Sequence, residues 1–336
     1  MVKNRIFYYD LLRALAIIAV MMCHIDLFFG AYDGSILKFA FHSVFHGIGL
    51  VGVPIFLMLT GALLLNKEYD LSYFLKRRFS RIIIPFIFWI IIILTVGALY
   101  FKWDTQTMFG VFSGNGTIMW YIWMLVGIYL FIPVINSFFR EYNFKGVEYF
   151  LIIWFVTIIL RTFQLWPVFP AYELNTNFEL CYFADFIGYP ILGYYLANKE
   201  FNIDNVKMLI IGFLIFVVSL GYYVYMDFNH ASIGPLYQNL TNVFMGIGFF
   251  LTFKYLDKLD MFKHIQDNLI GKFITSISIC SYGMYFDHFI LINYFEPFGI
   301  HSNKFILLIL VAMVLLSWSI IYILSKIPYL KKVCGV

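Results

Sequence analysis

The sequence predicts an all-α, polytopic integral membrane protein of about ten transmembrane helices, with both termini on the cytoplasmic side. Three observations lead there. Hydrophobic residues make up 62% of the 336-residue chain and charged residues 12%, with a mean hydropathy of +0.85, whereas soluble domains carry about 25% charged residues. Apolar runs of about 20 residues, the length that crosses a hydrocarbon core, recur along the chain. Lysine and arginine are also divided very unequally between alternate connections, the asymmetry that orients membrane proteins.

The ten runs fall near 6–29, 46–65, 82–101, 118–137, 147–166, 180–197, 207–226, 236–256, 274–295 and 304–325. The first follows Lys3 and Arg5 and superficially resembles a secretory signal. It is long enough to span, it contains Arg13, and no small-x-small cleavage site precedes His24, so it reads as a retained helix. The second opens on Gly47-x-Gly49-x-x-Gly52. No strand precedes these glycines, so they suit close helix packing rather than a dinucleotide. The third follows the basic cluster Lys76, Arg77, Arg78 and Arg81, read as a cytoplasmic segment, and the fourth opens on Trp120, Tyr121 and Trp123. The remaining six are apolar runs of spanning length. The longest polar gaps, 161–179 and 254–273, are too short for a soluble domain, which predicts one membrane domain over 1–336 with no appended soluble domain. No internal repeat is evident, which argues against an inverted-repeat transporter.

With the N-terminus inside, 18 of the 23 lysines and arginines lie in cytoplasmic segments and four in outer ones. The last, Arg13, lies within the first helix, toward the cytoplasmic side, and His24 lies toward its outer end. These two residues are the leading candidates for chemistry. Eleven residues are about three helical turns, so both share one face some 16 Å apart. Titratable groups inside lipid are costly and face an interior or a water-filled cavity. Neutral imidazole is a good general base near neutral pH. The planar guanidinium fork suits phosphate or carboxylate. The bland counterparts are a histidine that only hydrogen-bonds a neighbouring helix, and an Arg13–Asp10 ion pair on the same helix surface.

Arg78 and Arg81 read either as an anchor for anionic headgroups or as a clamp for the phosphates of a nucleotide-bearing donor. Trp120, Tyr121 and Trp123 suit either an interfacial aromatic belt or stacking on sugar rings. Asp287 and His288 are intramembrane titratable residues near Tyr285. Being adjacent on a helix, they point in different directions and do not form a dyad with each other. Glu179 and Asp185 are weaker candidates of the same kind, and Asp26 is placed at the outer surface with no role. His42 and His46 are four apart but lack an HExxH glutamate and a third ligand, so no metal is expected; they read as outward-facing loop residues, with the lining of an acceptor site as the alternative. The four cysteines have no CxxC spacing, so neither a zinc site nor a disulfide framework is expected.

Taken together, five segments in order resemble the acyltransferase-3 family of membrane-bound acyltransferases. Tyr9, Asp10 and Arg13 running to His24 are similar to its opening helix with an Arg-x10-His signature. Gly52, Pro54, Phe56, Thr60 and Gly61 resemble its second-helix pattern. Arg78-x-x-Arg81 with Pro85 resembles its cytoplasmic Arg-x-x-Arg and proline. Trp120 and Tyr121 with Gly127, Tyr129 and Pro133 are similar to its fourth-helix segment, and Ser281, Tyr282, Tyr285 and His288 to its late Ser-Tyr-x-x-Tyr-x-x-His segment. Met119 departs from the histidine that often precedes the fourth-helix tryptophan.

The resemblance implies an enzyme that moves an acyl group, most often acetyl, from cytoplasmic acyl-CoA to a hydroxyl of a surface or lipid-linked glycan. Acetyl-CoA is then a co-substrate and no cofactor is permanently bound. His24 would be the general base, Arg13 would hold the donor, and Arg78 and Arg81 would grip its phosphates. Asp10, Trp120, Tyr121, Tyr285, Asp287 and His288 would support the site or bind the acceptor. The expected partners are acyl-CoA, the glycan and the lipid bilayer of a bacterial-type cell membrane, with no nucleic acid. The alternative is an exporter or flippase of a glycan or lipid-linked sugar, because intramembrane Arg, His and Asp also suit transport pathways.

Overall fold

The structure, a computed structural model, describes residues 5–29, 35–115, 117–163, 179–230, 237–295 and 305–336. Among these the chain forms helices and no strand, as an all-α membrane protein requires. Among the described residues six segments are long and apolar enough to cross a bilayer: Phe7–His24, Ile36–Leu64, Leu71–Leu99, Trp120–Thr162, Asn205–Phe228 and Ile306–Lys326.

Helix α1 (Phe7–His24) buries Leu12, Ala16, Ile17, Val20 and Met21. It packs against several later helices, so its polar residues face protein from several sides. Helices α2 (Ile36–Gly49) and α3 (Gly52–Leu64) are separated by two residues and form one crossing. The glycines at this join do the packing work the sequence predicts. A Cβ on Gly49 would stand 2.7 Å from Cys23 Sγ, and one on Gly52 would stand 2.7 Å from the Ala16 carbonyl oxygen.

Helix α4 (Leu71–Leu99) corrects the third predicted run, which was expected to start at 82 after a cytoplasmic segment. Asp70 caps it by accepting the Tyr73 N–H at 2.7 Å. Lysine and arginine are good helix formers, so the basic cluster is the first turns of the helix itself. Hydropathy marks only the apolar part. The short helix α5 (Thr105–Ser113) follows, capped by Asp104 and ended by Gly114 at φ +81°. At nine residues it is too short to cross and carries no span signal.

Helix α6 (Trp120–Phe163) holds the fourth and fifth predicted runs, joined through a break at Asn143, where φ is 51°. The sixth run, 180–197, is corrected. Residues 180–187 form two short 3-10 turns, Asp185 takes a positive φ of 66°, and only α7 (Gly188–Asn198) is α-helical. Eleven residues rise about 16 Å, too little to cross alone. α7 lies backbone to backbone on α3: a Cβ on Gly61 would stand 1.7 Å from the Pro190 carbonyl oxygen.

Helices α8 (Asn205–Phe228), α9 (Leu240–Lys258), α10 (Leu269–Phe295) and α11 (Ile306–Lys326) fall on the last four predicted runs, and the short α12 (Leu330–Val333) follows. The predicted ends at 164–166, 236 and 304 lie outside the described residues. α8 exposes Phe213, Leu214, Val217 and Val218, a lipid-facing surface. α9 and α10 bury polar residues instead, among them Asn242, Lys254, Ser278, Asp287 and His288. The Lys254 ammonium donates to the Leu196 and Lys199 carbonyls at 2.8 and 3.2 Å, closing the C-terminus of α7 where a cation is favoured.

Candidate active site

The site is built on the two ends of α1. At the Arg13 end, the expected alternative partner of the guanidinium is already taken. Asp10 is held bidentately by Arg5, at 2.9 Å from Nε and 2.8 Å from a terminal nitrogen. It also accepts the Ser278 hydroxyl at 2.7 Å. Among the described residues no carboxylate forms a salt bridge with Arg13, Arg78 or Arg81. Instead all three cations lie within electrostatic reach of one interior hydroxyl, that of Tyr129. Arg78 lies 5.9 Å above the Phe74 ring and within electrostatic reach of the Tyr69 hydroxyl. The helical start of α4 sets Arg78 and Arg81, three residues apart, on one side of the helix. Cations gathered around a phenol without a salt-bridged carboxylate suit a multiply charged anion such as a phosphate.

At the His24 end is a cavity of about 370 Å³, lined by Cys23, His24, His46, Leu50, Trp120, Phe186 and Tyr237. That volume is in the range of small-molecule sites. The Trp120 indole lies against Tyr237 (ring centroids 5.7 Å apart, 27° between planes) and Phe186 (5.4 Å). One wall is therefore a continuous aromatic surface. His46, which also lines the cavity, is tied to the Tyr223 hydroxyl at 2.7 Å through Nδ1.

Other candidates stand behind the cavity. The His24 and His288 rings are 5.4 Å apart between centroids, and His288 Nδ1 is 2.9 Å from the Met284 carbonyl oxygen. Tyr285 is buried beside His288 and Tyr121, and its hydroxyl donates to the Ile118 carbonyl. Asp287 points elsewhere, accepting the Ser317 hydroxyl of α11 at 2.5 Å. Asp287 and His288 thus diverge, as their adjacency on a helix dictates.

Several sequence-level expectations separate here. Trp120 lines the cavity, Tyr121 is buried, and Trp123 is exposed, donating to the Phe112 carbonyl at 3.0 Å. Asp185 is ion-paired to Arg161 at 2.5 Å. The side chain of Asp26 lies outside the described residues. The reading of His42 and His46 as loop residues is corrected: both lie on α2, and helical periodicity carries His46 into the cavity wall. Tyr237 and Phe186 carry no sequence signal, since they reach the cavity from separate segments that only the tertiary fold brings together. No group of three or more His, Cys, Asp or Glu among the described residues is arranged to hold a metal ion.

This is a multi-pass membrane protein with a cation cluster at one end of a central helix and an imidazole in an aromatic cavity at the other. A family model described as an acyltransferase domain matches residues 6–323, so the chain belongs to the acyltransferase-3 family and is a membrane acyltransferase. Comparison with curated proteins and with solved structures returned no match.

Proposed function

We propose that the protein is an O-acetyltransferase of the bacterial-type cell membrane, moving acetyl from cytoplasmic acetyl-CoA to a hydroxyl of a surface or lipid-linked glycan. The observation that carries the reading is the division of α1. Arginines without a carboxylate partner gather at one end, and a histidine lines an aromatic-walled cavity at the other. With the Lys- and Arg-rich connections on the cytoplasmic side, the cations face the donor and the imidazole faces the acceptor. Arg78 and Arg81 take the phosphates of coenzyme A, and Arg13 holds the donor deeper. The pantetheine arm, long and thin, covers the roughly 16 Å that three helical turns put between Arg13 and His24.

The neutral His24 ring removes the proton of the acceptor hydroxyl as its oxygen attacks the thioester carbonyl. The tetrahedral intermediate collapses with cleavage of the C–S bond, and the imidazolium returns its proton to the departing thiolate. The products are the acetyl ester and free coenzyme A. Trp120, with Phe186 and Tyr237 behind it, offers the flat face on which a sugar ring packs through its C–H bonds.

Mass spectrometry of surface glycans tests the reading, comparing cells that carry the wild-type gene, a His24→Ala allele and no gene. An acetyl mass present only with the wild-type allele is expected. Equal acetylation in all three, or a change in the amount of exported glycan without a change in its acetylation, would overturn it.

A further inference from the structure

His288 is completely buried, and the mechanism above leaves it without a task. Its ring is not simply a spacer. The Met284 carbonyl 2.9 Å from Nδ1 can only accept, so Nδ1 carries the proton and Nε2, on the opposite side of the ring, is a bare acceptor. That Nε2 is fully enclosed and has no hydrogen-bond partner among the described residues. A buried acceptor left unmatched is costly, so it calls for a donor. The ring beside it is His24, at 5.4 Å between centroids and 36° between planes. No direct hydrogen bond joins the two rings in this structure, and one bridging water or a small rotation of the His24 ring closes the gap.

We propose that His288 is the positioning residue for His24. Its Nε2 accepts the N–H of the His24 ring, through one water or after a small rotation of that ring, so the other His24 nitrogen carries the lone pair that faces the cavity. This rests on the reading of His24 as general base. A neutral imidazole works as a base only from its unprotonated nitrogen, and the hydrogen bond made by the other nitrogen decides which one that is. The α10 backbone fixes His288, and His288 fixes His24. The partners of the other nearby groups make them unsuited to the task. The Asp287 carboxylate is turned to Ser317, the Tyr285 hydroxyl is spent on the Ile118 carbonyl, and His46 is engaged with Tyr223.

The test uses membranes from cells that make the protein, which carry their own acceptor. Thiol release from acetyl-CoA is followed for wild type, His24→Ala, His288→Gln and His288→Met. Gln offers an acceptor oxygen near the place of Nε2, and Met fills the same space without one. Met is expected to lower the saturated rate by about 10²-fold, the scale of a general-base contribution, with the KM for acetyl-CoA unchanged. Gln is expected to restore most of that rate. Equal rates for Gln and Met, with His24→Ala inactive, would overturn the positioning role and leave the base reading intact. Wild-type turnover by His24→Ala would overturn both. Nitrogen-15 spectra of histidine-labelled protein give a second readout, independent of turnover. A ring protonated at Nδ1 whose signal is lost in His288→Gln is expected, and an Nε2-protonated ring in its place would contradict the proposal.

Discussion

Arg13 is the clearest case of a residue whose meaning depends on who its neighbour is already holding. The i, i+3 spacing to Asp10 makes an ion pair the simplest account of a buried arginine. Arg5 and Ser278 occupy that carboxylate, and the guanidinium faces an interior shared with Arg78, Arg81 and Tyr129. Charge-assisted hydrogen bonds of the kind an arginine makes to phosphate are worth about 1.5–3 kcal/mol, or about 10- to 100-fold in binding. Arg78→Ala and Arg81→Ala are each expected to raise the KM for acetyl-CoA by about that factor while leaving the saturated rate within a few-fold. The measurement is initial rate against acetyl-CoA concentration, and an unchanged KM in both would remove the phosphate clamp. His24→Ala belongs to the other class: its expected loss, about 10²- to 10⁴-fold, lies in the saturated rate.

At the scale of elements, contact between backbones decides more than side-chain size. Gly61 on α3 meets the Pro190 carbonyl of α7 with no room for a methyl group, whereas Gly221 on α8 has nothing within 4 Å of where a Cβ would be. Gly61→Ala is expected to push α7 off α3 and to abolish accumulation of folded protein. Gly221→Ala is expected to be tolerated or to stabilise, on the order of 1 kcal/mol from helix propensity. Thermal unfolding in detergent, or yield where Gly61→Ala does not fold, checks both.

The helices themselves were legible from hydropathy, because apolar length is what a bilayer demands. Their ends were not. α4 begins at Leu71, eleven residues before the apolar run starts at Ile82, because helix formation tolerates lysine and arginine while hydropathy does not. The run at 180–197 is apolar but breaks at Asp185, which hydropathy does not register. In the site, spacing along one helix was readable, so Arg13 and His24 were found together. His46, Phe186 and Tyr237 reach the cavity through tertiary contacts, which no local pattern encodes.

For the whole molecule, the charge asymmetry predicts which surface faces the cytoplasm. A single cysteine at Thr107, exposed on α5, is expected to react with an impermeant thiol reagent on intact cells. One at Lys145, exposed beside the α6 break, is expected to react only after permeabilisation. The reverse pattern would invert the donor and acceptor ends. One surface ion pair also gives a pH signature. The Lys258 ammonium, hydrogen-bonded to Glu200, holds that carboxyl below its ordinary range. A carboxyl depressed in the folded state contributes stability above its unfolded pKa and loses it as pH falls through the folded value. Glu200→Gln is therefore expected to shrink the difference in unfolding temperature between pH 7 and acid. Because the pair is exposed, the change is small.

In the proposed reaction one membrane domain passes an acyl group from a donor held by arginines to an acceptor activated by His24. The most direct test encloses radiolabelled acetyl-CoA in vesicles reconstituted with the protein, with the cell's own glycan outside. Label on the external glycan, matched by free coenzyme A inside and abolished by His24→Ala, is the expected result. Glycan movement across the vesicle wall without coenzyme A release, or labelling undiminished by His24→Ala, would contradict the account.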